Sequence, residues 1–153
     1  MQNQSIGKYI SSIYRYQSIL INKQFEQYGF GCGQYIFLIH IAQNPGINQK
    51  ELSERVKIDR ANTHRAIKKL SSLGYIYTDR DEDDKRIMKS YLTEEGKRLM
   101  PAVKSGLLSL TDIMLENFDD SEREMIFGLL RKIEKNVQDH VRTLREGHTH
   151  GDK

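Results

Sequence analysis

Hydrophobic residues recur every three to four positions over most of the chain, which is the spacing of amphipathic α-helices. One segment instead has two short β-branched and aromatic runs around a highly charged stretch, which predicts a β-hairpin. The pattern predicts helices at residues 5–28, 32–43, 49–56, 60–73, 94–117 and 122–145, and strands at residues 75–78 and 87–92. We therefore expect a mainly α fold with a small β-hairpin.

Polar residues and glycines mark the predicted helix ends. Asn48 with Glu51 and Ser121 with Glu124 have the spacing of a capping box, and a glycine just past a helix favours its termination. Gly31 or Gly33 is expected to begin the second helix. The predicted caps are Asn48, Asp59, Thr93 and Ser121 at N-termini and Gly29 and Gly74 at C-termini.

The third and fourth helices are short and separated by a three-residue turn, which predicts a helix-turn-helix. In the fourth helix, Thr63, Ala66, Ile67, Leu70 and Leu73 form an apolar stripe, and polar or basic residues occupy the other side. A β-hairpin directly after these helices predicts a winged helix-turn-helix.

The long flanking helices carry more apolar residues than one small domain can easily cover. Residues 1–30 are therefore expected to form an N-terminal dimerisation helix, and residues 93–146 C-terminal dimerisation helices, in a homodimer. The winged helix-turn-helix would occupy residues 31–92, and residues 147–153 would be a disordered tail. The alternative is a monomer in which these helices cap their own core.

Composition narrows the class of protein. The chain has 153 residues, a net charge of +3 and one cysteine, which excludes an internal disulfide framework. Residues 48–70 contain seven basic and three acidic residues, which favours an anionic partner, although a solvated helical surface explains the same charges. The sequence has no apolar stretch of membrane-spanning length and no evident signal segment, so we expect a cytoplasmic protein. It also lacks a phosphate-binding glycine loop, a nucleophile elbow or a convincing carboxylate pair, so we do not expect an enzyme.

Several motifs resemble the MarR family of bacterial transcriptional regulators. Asp84-Lys85-Arg86, followed by Leu92-Thr93-Glu94-Glu95-Gly96, is similar to the Asp-x-Arg and Leu-Thr-x-x-Gly of that family. Residues 48–53 and 59–65 resemble its third helix and its recognition helix, with Arg65 at the usual arginine. Gly29-Phe30 and Gln34 with Leu38 resemble the entry into the second helix. The chain departs from the family at Ala61 and His64, where small hydroxyl residues are common, at Gly31 and in an acidic wing tip.

The resemblance implies a homodimeric repressor that binds a palindromic operator in double-stranded DNA. Arg65 is the candidate for reading guanine, Asn62 for reading adenine, and Arg86 for entering the minor groove while Asp84 holds it in position. Gln49, Lys50, Lys68 and Lys69 would contact the DNA backbone, and Arg80 and Lys85 would offset the acidic wing tip. The full set of expected DNA-binding residues is Gln49, Lys50, Arg60, Ala61, Asn62, His64, Arg65, Lys68, Lys69, Arg80, Asp84, Lys85 and Arg86.

The resemblance also implies release by a signal, most commonly a small aromatic effector. Candidate pocket residues are Tyr9, Tyr14, Tyr16, Tyr35 and Phe37, although aromatic residues at helical spacing also suit a core.

Alternative signals would use Cys32, expected at the start of the second helix, as a thiol sensor, or histidines as metal ligands. His40, His140, His148 and His150 show no ligand spacing with Cys32, so we expect no metal and no cofactor. His40 could equally be a hydrogen-bonded core histidine. A winged helix that contacts only proteins is the remaining alternative.

Overall fold

The computed structural model describes residues 5–148, with the side chains of residues 147 and 148 left undescribed. The chain divides into two compact units, one ending at Thr111 and the other beginning at Asp112. The helices are α1 (Ile6–Phe25), α2 (Tyr35–Gln43), α3 (Gln49–Val56), α4 (Arg60–Ser72), α5 (Glu94–Met114) and α6 (Asp120–His148), and the strands are β1 (Ile47–Asn48), β2 (Ile76–Arg80) and β3 (Met88–Leu92). This order confirms the mainly helical winged fold.

The observed helix ends agree best with the predicted ones where a side chain caps the helix. Asn48 accepts a hydrogen bond from the backbone N–H of Glu51 (3.0 Å), and α3 spans the predicted residues 49–56. Helix α1 instead ends at Phe25 and continues as one 3-10 turn, Glu26–Tyr28, before Gly29 adopts a left-handed conformation. Helix α2 begins at Tyr35, because the preceding residues form a turn in which the N–H groups of Gln34 and Tyr35 both donate to the Gly31 carbonyl. The prediction that Gly31 or Gly33 begins this helix is therefore wrong.

A small antiparallel sheet has the order β1-β3-β2. The predicted hairpin is confirmed, with Ile76 opposite Leu92 at its base and Arg80 opposite Met88 at its tip. Strand β1 was not predicted, because two residues carry no detectable alternation. It pairs with β3 through Ile47 and Ser90, and so connects the residues before α3 to the wing.

The core of the first unit lies where α1, α2, α3, α4 and α5 supply apolar side chains. Phe37, Leu38 and Ile41 are buried, so α2 lies at the centre of this core. The end of α1 contributes Ile21 and Phe25, and the Phe25 ring stacks on Phe30 at 5.2 Å between centroids. The core therefore places α3 and α4 against α2 with their outer sides free.

Helix α5 starts with a set of backbone contacts that fix it against the α4–β2 turn. The Thr93 hydroxyl donates to the Gly74 carbonyl (2.6 Å) and accepts from the Gly96 N–H (3.0 Å), which confirms Thr93 as the cap. A Cβ atom on Gly96 would lie 2.0 Å from the Tyr75 carbonyl oxygen. The glycine of the Leu-Thr-x-x-Gly motif is therefore required by close packing of two backbone segments.

The second unit contains α6 and the turn before it. Its capping box is formed by Asp119 and Glu122, since each side chain accepts from the backbone N–H of the other (2.9 and 3.0 Å). The predicted box of Ser121 and Glu124 is wrong, because an Asp two residues earlier caps the helix first. Helix α6 reaches His148, so residues 147 and 148 are helical where a tail was expected, and residues 149–153 lie outside the described residues.

None of the helices between residues 5 and 148 combines the length and the apolar character required to cross a bilayer.

Candidate nucleic-acid interface

The α3–α4 segment forms a helix-turn-helix whose turn is set by three adjacent residues. Lys57 has a positive φ of 58°, which ends α3, and the Ile58 N–H donates to the Ser53 carbonyl. Asp59 then caps α4 by accepting from the Asn62 backbone N–H (2.9 Å). The Thr63 hydroxyl is buried and donates to the Asp59 carbonyl (2.8 Å), which fixes the first turn of α4 to the interior.

Helix α4 separates buried and exposed residues as its sequence predicted. Thr63, Ala66, Ile67 and Leu70 are buried against the core. The expected DNA-binding residues of α4 are all exposed: Arg60, Ala61, Asn62, His64, Arg65, Lys68 and Lys69. This exposed side has four basic side chains and no acidic one between residues 60 and 69, so it can accept a polyanion.

Two groups of side chains on this surface are linked by hydrogen bonds. Gln49 of α3 donates to the Arg60 carbonyl (3.2 Å), and its amide oxygen lies 3.4 Å from His64 Nδ1. In the second group, Asn62 contacts both Asp59 and Arg65. The structure therefore brings Gln49, Arg60 and His64 together, and separately Asn62 and Arg65.

The wing loop holds Arg86 with a carboxylate. Two guanidinium nitrogens of Arg86 lie 3.0 Å from the two carboxylate oxygens of Asp84, in a bidentate pair. The Arg86 backbone N–H also donates to Asp84 Oδ1 (3.0 Å). The hydrogen bonds to Arg86 hold the pKa of the Asp84 carboxyl below its ordinary value. Asp84 therefore pairs with Arg86 as expected, and the role of this pair at DNA stays a prediction.

Asp81 organises the rest of the wing tip. Its carboxylate pairs with Lys89 and accepts from the backbone N–H groups of Asp83 and Asp84, both at 2.9 Å. Hydrogen bonding to Lys89, with the two N–H bonds, lowers the pKa of Asp81 to about 2. Sequence reasoning treated this carboxylate as part of a repulsive acidic run. The residue that reveals its role is Lys89 on β3, and Lys89 can be identified as the partner of Asp81 only when the hairpin register is known.

Lys50, Arg80 and Lys85 are also exposed. Asp59 was predicted only as a cap, but its side chain also accepts a hydrogen bond from the Asn62 side chain. The spacing of three residues between Asp59 and Asn62 is the sequence signal for this contact.

The five aromatic residues considered as pocket residues differ in exposure. Tyr9, Tyr14 and Tyr16 are exposed on α1, and Tyr35 is half-buried against Phe25. Phe37 is 1% exposed, so for this residue the core alternative holds.

Two cavities lie elsewhere in the first unit. One, of about 620 Å³, lies between the end of α1 and the Gly29–Gln34 segment. The other, of about 320 Å³, lies between α2 and α5. The α2–α5 cavity has a largely apolar lining: Ile39, Gln43, Met100, Val103, Lys104, Leu107, Leu108 and Thr111.

The candidate sensor residues have the following positions. Cys32 lies in the turn before α2, half-buried, and its N–H donates to Asn22 Oδ1 (2.8 Å), so the expectation that it opens the helix is wrong. His40 Nδ1 is buried without a hydrogen-bond partner among the described residues, and burial, with a smaller contribution from Arg55, lowers the pKa of His40. The His148 side chain and His150 lie outside the described residues, and the described side chains contain no cluster of three metal-binding residues.

Comparison with known proteins identifies the family. A model of the MarR family matches residues 28–87. The uncharacterized HTH-type transcriptional regulator YybA of Bacillus subtilis is 37% identical over 129 residues, which cover 84% of this chain and 86% of YybA.

Solved structures agree with this result. A MarR transcriptional regulator from Methanosarcina mazei Go1 has a TM-score of 0.84 and 42% identity, with 88% of this chain and 96% of that chain covered. A MarR family transcriptional regulator from Listeria monocytogenes, complexed with 26mer DNA, has a TM-score of 0.83 and 29% identity, with 98% and 97% covered. The winged fold, the motifs of the wing and these relatives lead to one conclusion: the chain belongs to the MarR family of HTH-type transcriptional regulators.

Proposed function

We propose that this transcriptional regulator binds double-stranded DNA in a sequence-specific manner through α4 and the wing. The observation that carries the proposal is the division of α4 into a buried side and an exposed basic side that follows a short helix-turn. The Listeria monocytogenes relative complexed with DNA supports it further. In this mode the N-terminal half of the recognition helix reaches base edges in the major groove.

The exposed residues then divide by role. Arg65 has a planar fork of donors that matches guanine, and we assign it the reading of a base. Lys50, Lys68 and Lys69 carry flexible point charges, which suit contacts with phosphates that position the protein without selecting a sequence. Arg86, held by Asp84 at the wing, would enter the adjacent minor groove.

The proposal includes a homodimer. On α1, Ile6, Tyr9, Ile10 and Ile13 are exposed large apolar side chains near the N-terminus. On α6, considered separately, Leu130, Val137 and Leu144 are exposed as well. Large apolar side chains exposed along one side of a helix, as on each of these helices, are typical of an interface. A two-fold dimer would present two copies of α4 to a palindromic operator, with half-sites separated by about one DNA turn, roughly 34 Å.

A repressor released by a small effector is the regulatory mode that the family resemblance favours. The α2–α5 cavity supports this part of the proposal, since about 320 Å³ with a mainly apolar lining suits a small aromatic molecule. Because α2 packs against α3 and α4, a ligand there can alter the position of the recognition helix. This mode is tested by titrating the protein–operator complex with small aromatic acids. The DNA should be released over the same range of acid concentration in which the acid binds to the protein. Variant Leu107→Trp fills the cavity and should abolish release while operator binding persists.

DNA binding is tested by selecting bound sequences from a random DNA pool with the full-length chain, then measuring affinity against salt. We expect an enriched inverted repeat and a logarithmic affinity that falls linearly with the logarithm of salt concentration. A flat salt dependence or the absence of an enriched sequence would overturn the proposal. Enrichment of a single half-site would overturn the palindromic part alone.

The wing assignment has its own test in Arg86→Ala, which should weaken operator binding by at least about tenfold, equal to 1.4 kcal/mol. Lys85→Ala is the matched control, since it removes the same charge from the neighbouring residue, which is also exposed. Equal effects of the two variants would show that only net charge matters at the wing.

A further inference from the structure

Asp59, Asn62 and Arg65 form a continuous chain of side-chain hydrogen bonds along the first turns of α4. They are spaced by three residues, so their side chains are neighbours on the helix surface. Asn62 Nδ2 donates to Asp59 Oδ2 and Arg65 Nη2 donates to Asn62 Oδ1, each at 2.5 Å. Asp59 Oδ1 meanwhile accepts the Asn62 backbone N–H at 2.9 Å, so one carboxylate both caps the helix and holds a side chain.

The chemistry of the two outer residues fixes the orientation of the central amide. A carboxylate can only accept, so the Asn62 NH₂ group must face Asp59. A guanidinium can only donate, so the Asn62 carbonyl oxygen must face Arg65. Rotating the amide by 180° would place donor against donor and acceptor against acceptor. The asparagine therefore has one favourable orientation, and the guanidinium has a fixed acceptor within its own helix.

We propose that Asn62 is a positioning residue for Arg65, and that Asp59 determines base preference through Asn62. The inference rests on the proposed DNA binding. Arg65 keeps four further N–H donors for the base after its contact with Asn62. Holding the guanidinium before binding removes rotamer freedom that would otherwise be lost in the complex, which increases discrimination.

This role differs from direct reading of adenine by Asn62. Bidentate reading of adenine needs the amide nitrogen and oxygen turned together toward N6 and N7 of the base. In this chain, the nitrogen and oxygen are each engaged by a neighbour on α4, three residues before and three residues after. The proposal also explains an exposed carboxylate close to a surface that binds phosphate, because Asp59 acts on the side chain of Asn62.

The test compares base preference at every position of the selected site for the full-length wild type and three variants. Arg65→Ala should lose discrimination at one base pair of each half-site by about tenfold. Asn62→Ala should lose several-fold at the same base pair. Asp59→Ser keeps a hydroxyl that can cap α4 but removes the second carboxylate oxygen, so it should also lose several-fold at that base pair, with affinity for random DNA within about twofold.

Asn48→Ser is the control for the change of cap, since it places the same serine at the N-cap of α3 without touching Arg65. It should retain wild-type base preference. Circular dichroism and thermal unfolding of each variant identify any loss of folding, and Asn62→Ala, at an exposed position, provides the test if Asp59→Ser unfolds.

Two results would overturn the inference while leaving the proposed function intact. In the first, Asn62→Ala loses preference at a base pair different from that of Arg65→Ala, which would mean that Asn62 reads that base directly. Alternatively, both Asn62→Ala and a folded Asp59→Ser could keep full discrimination at the base pair of Arg65. An Arg65→Ala variant with unchanged base preference would also refute the inference, while salt-dependent binding by the wild type would still support DNA binding. A wild type that selects no sequence would refute both.

Discussion

Helices α1 and α4 are both amphipathic, yet only α4 buries its apolar side within its own chain. Leu70 of α4 is 0% exposed, whereas Ile13 of α1 is 49% exposed and Tyr16 is 70% exposed. Only Ile21 and Phe25, near the end of α1, are buried in the core. An apolar stripe therefore predicts that a helix side is buried but does not identify the surface that buries it. For α4 the partner is the remainder of the first unit, and for most of α1 we propose a second copy.

The largest expected effect comes from removing a buried side chain of α4. Leu70→Ala should lower the free energy of unfolding by about 2–5 kcal/mol, because it leaves a cavity in a closely packed core. Lys68→Ala, on the exposed side of the same helix, should change it by less than about 0.5 kcal/mol. Urea unfolding followed by circular dichroism measures both. Similar values for the two variants would contradict the division of α4 into a buried and an exposed side.

The close contact between the start of α5 and the α4–β2 turn is tested by adding a Cβ atom at Gly96. Gly96→Ala should lower the free energy of unfolding by about 1–3 kcal/mol, because the new Cβ atom would lie 2.0 Å from the Tyr75 carbonyl oxygen. Gly33→Ala is the control, since beyond Gly33 and its two chain neighbours no described heavy atom lies within 4 Å of the corresponding Cβ position. Wild-type stability of Gly96→Ala would mean that α5 can shift away from the α4–β2 turn at little cost.

The exposed side of α1 is tested through assembly. Ile13→Glu should raise the dissociation constant of the proposed homodimer by at least roughly tenfold, because it would place an unpaired carboxylate in the interface. The folded protomer should persist, since Ile13 is half exposed in a single chain. Sedimentation equilibrium measures the dimer, and Ser11→Glu adds the same charge on another side of the helix. An unchanged dimer in Ile13→Glu would exclude this side of α1 from the interface.

The smallest effect concerns the wing, which depends on charged groups at the surface. The pKa of Asp81 is lowered from 3.8 to about 2, so its stabilising contribution is present above pH 3.8 and is lost as the pH falls through about 2. Carboxyl carbon shifts from NMR should give a midpoint near 2 for Asp81, with amide signals of residues 81–89 changing over the same range. In Lys89→Met the midpoint should move toward 3.8. A wild-type midpoint of 3.8 would contradict the role of Asp81.

The sequence predicted elements best where local chemistry sets their ends. Asn48 and Asp59 cap α3 and α4 at the expected residues. In each cap the side-chain oxygen accepts from the backbone N–H three residues later, so the cap needs no residue from a distant part of the chain. The pairing of Asp84 with Arg86 is equally local. The third strand was missed because Ile47 and Asn48 become a strand only through pairing with β3.

The candidate site shows the same division. Exposure of the basic side of α4 follows from its helical periodicity, which is visible in the sequence. The contact of Gln49 with His64 joins two helices and depends on the angle of the turn between them. The partnership of Asp81 with Lys89 depends on the register of the hairpin. Phe37 illustrates the limit for pocket residues, since periodicity cannot tell a core aromatic from one that lines a cavity.

The helix-turn-helix, the wing and the family could be predicted from the amino-acid sequence, because caps, turns and periodic apolar positions act over a few residues. The folded chain settles the contacts between residues that are distant in sequence. It pairs Asp81 with Lys89, brings Gln49 next to His64, and leaves the apolar side of α1 exposed. Hydrogen bonding and burial depend on which atoms lie within a few ångströms of each other, and for residues far apart in sequence only the folded chain fixes those distances.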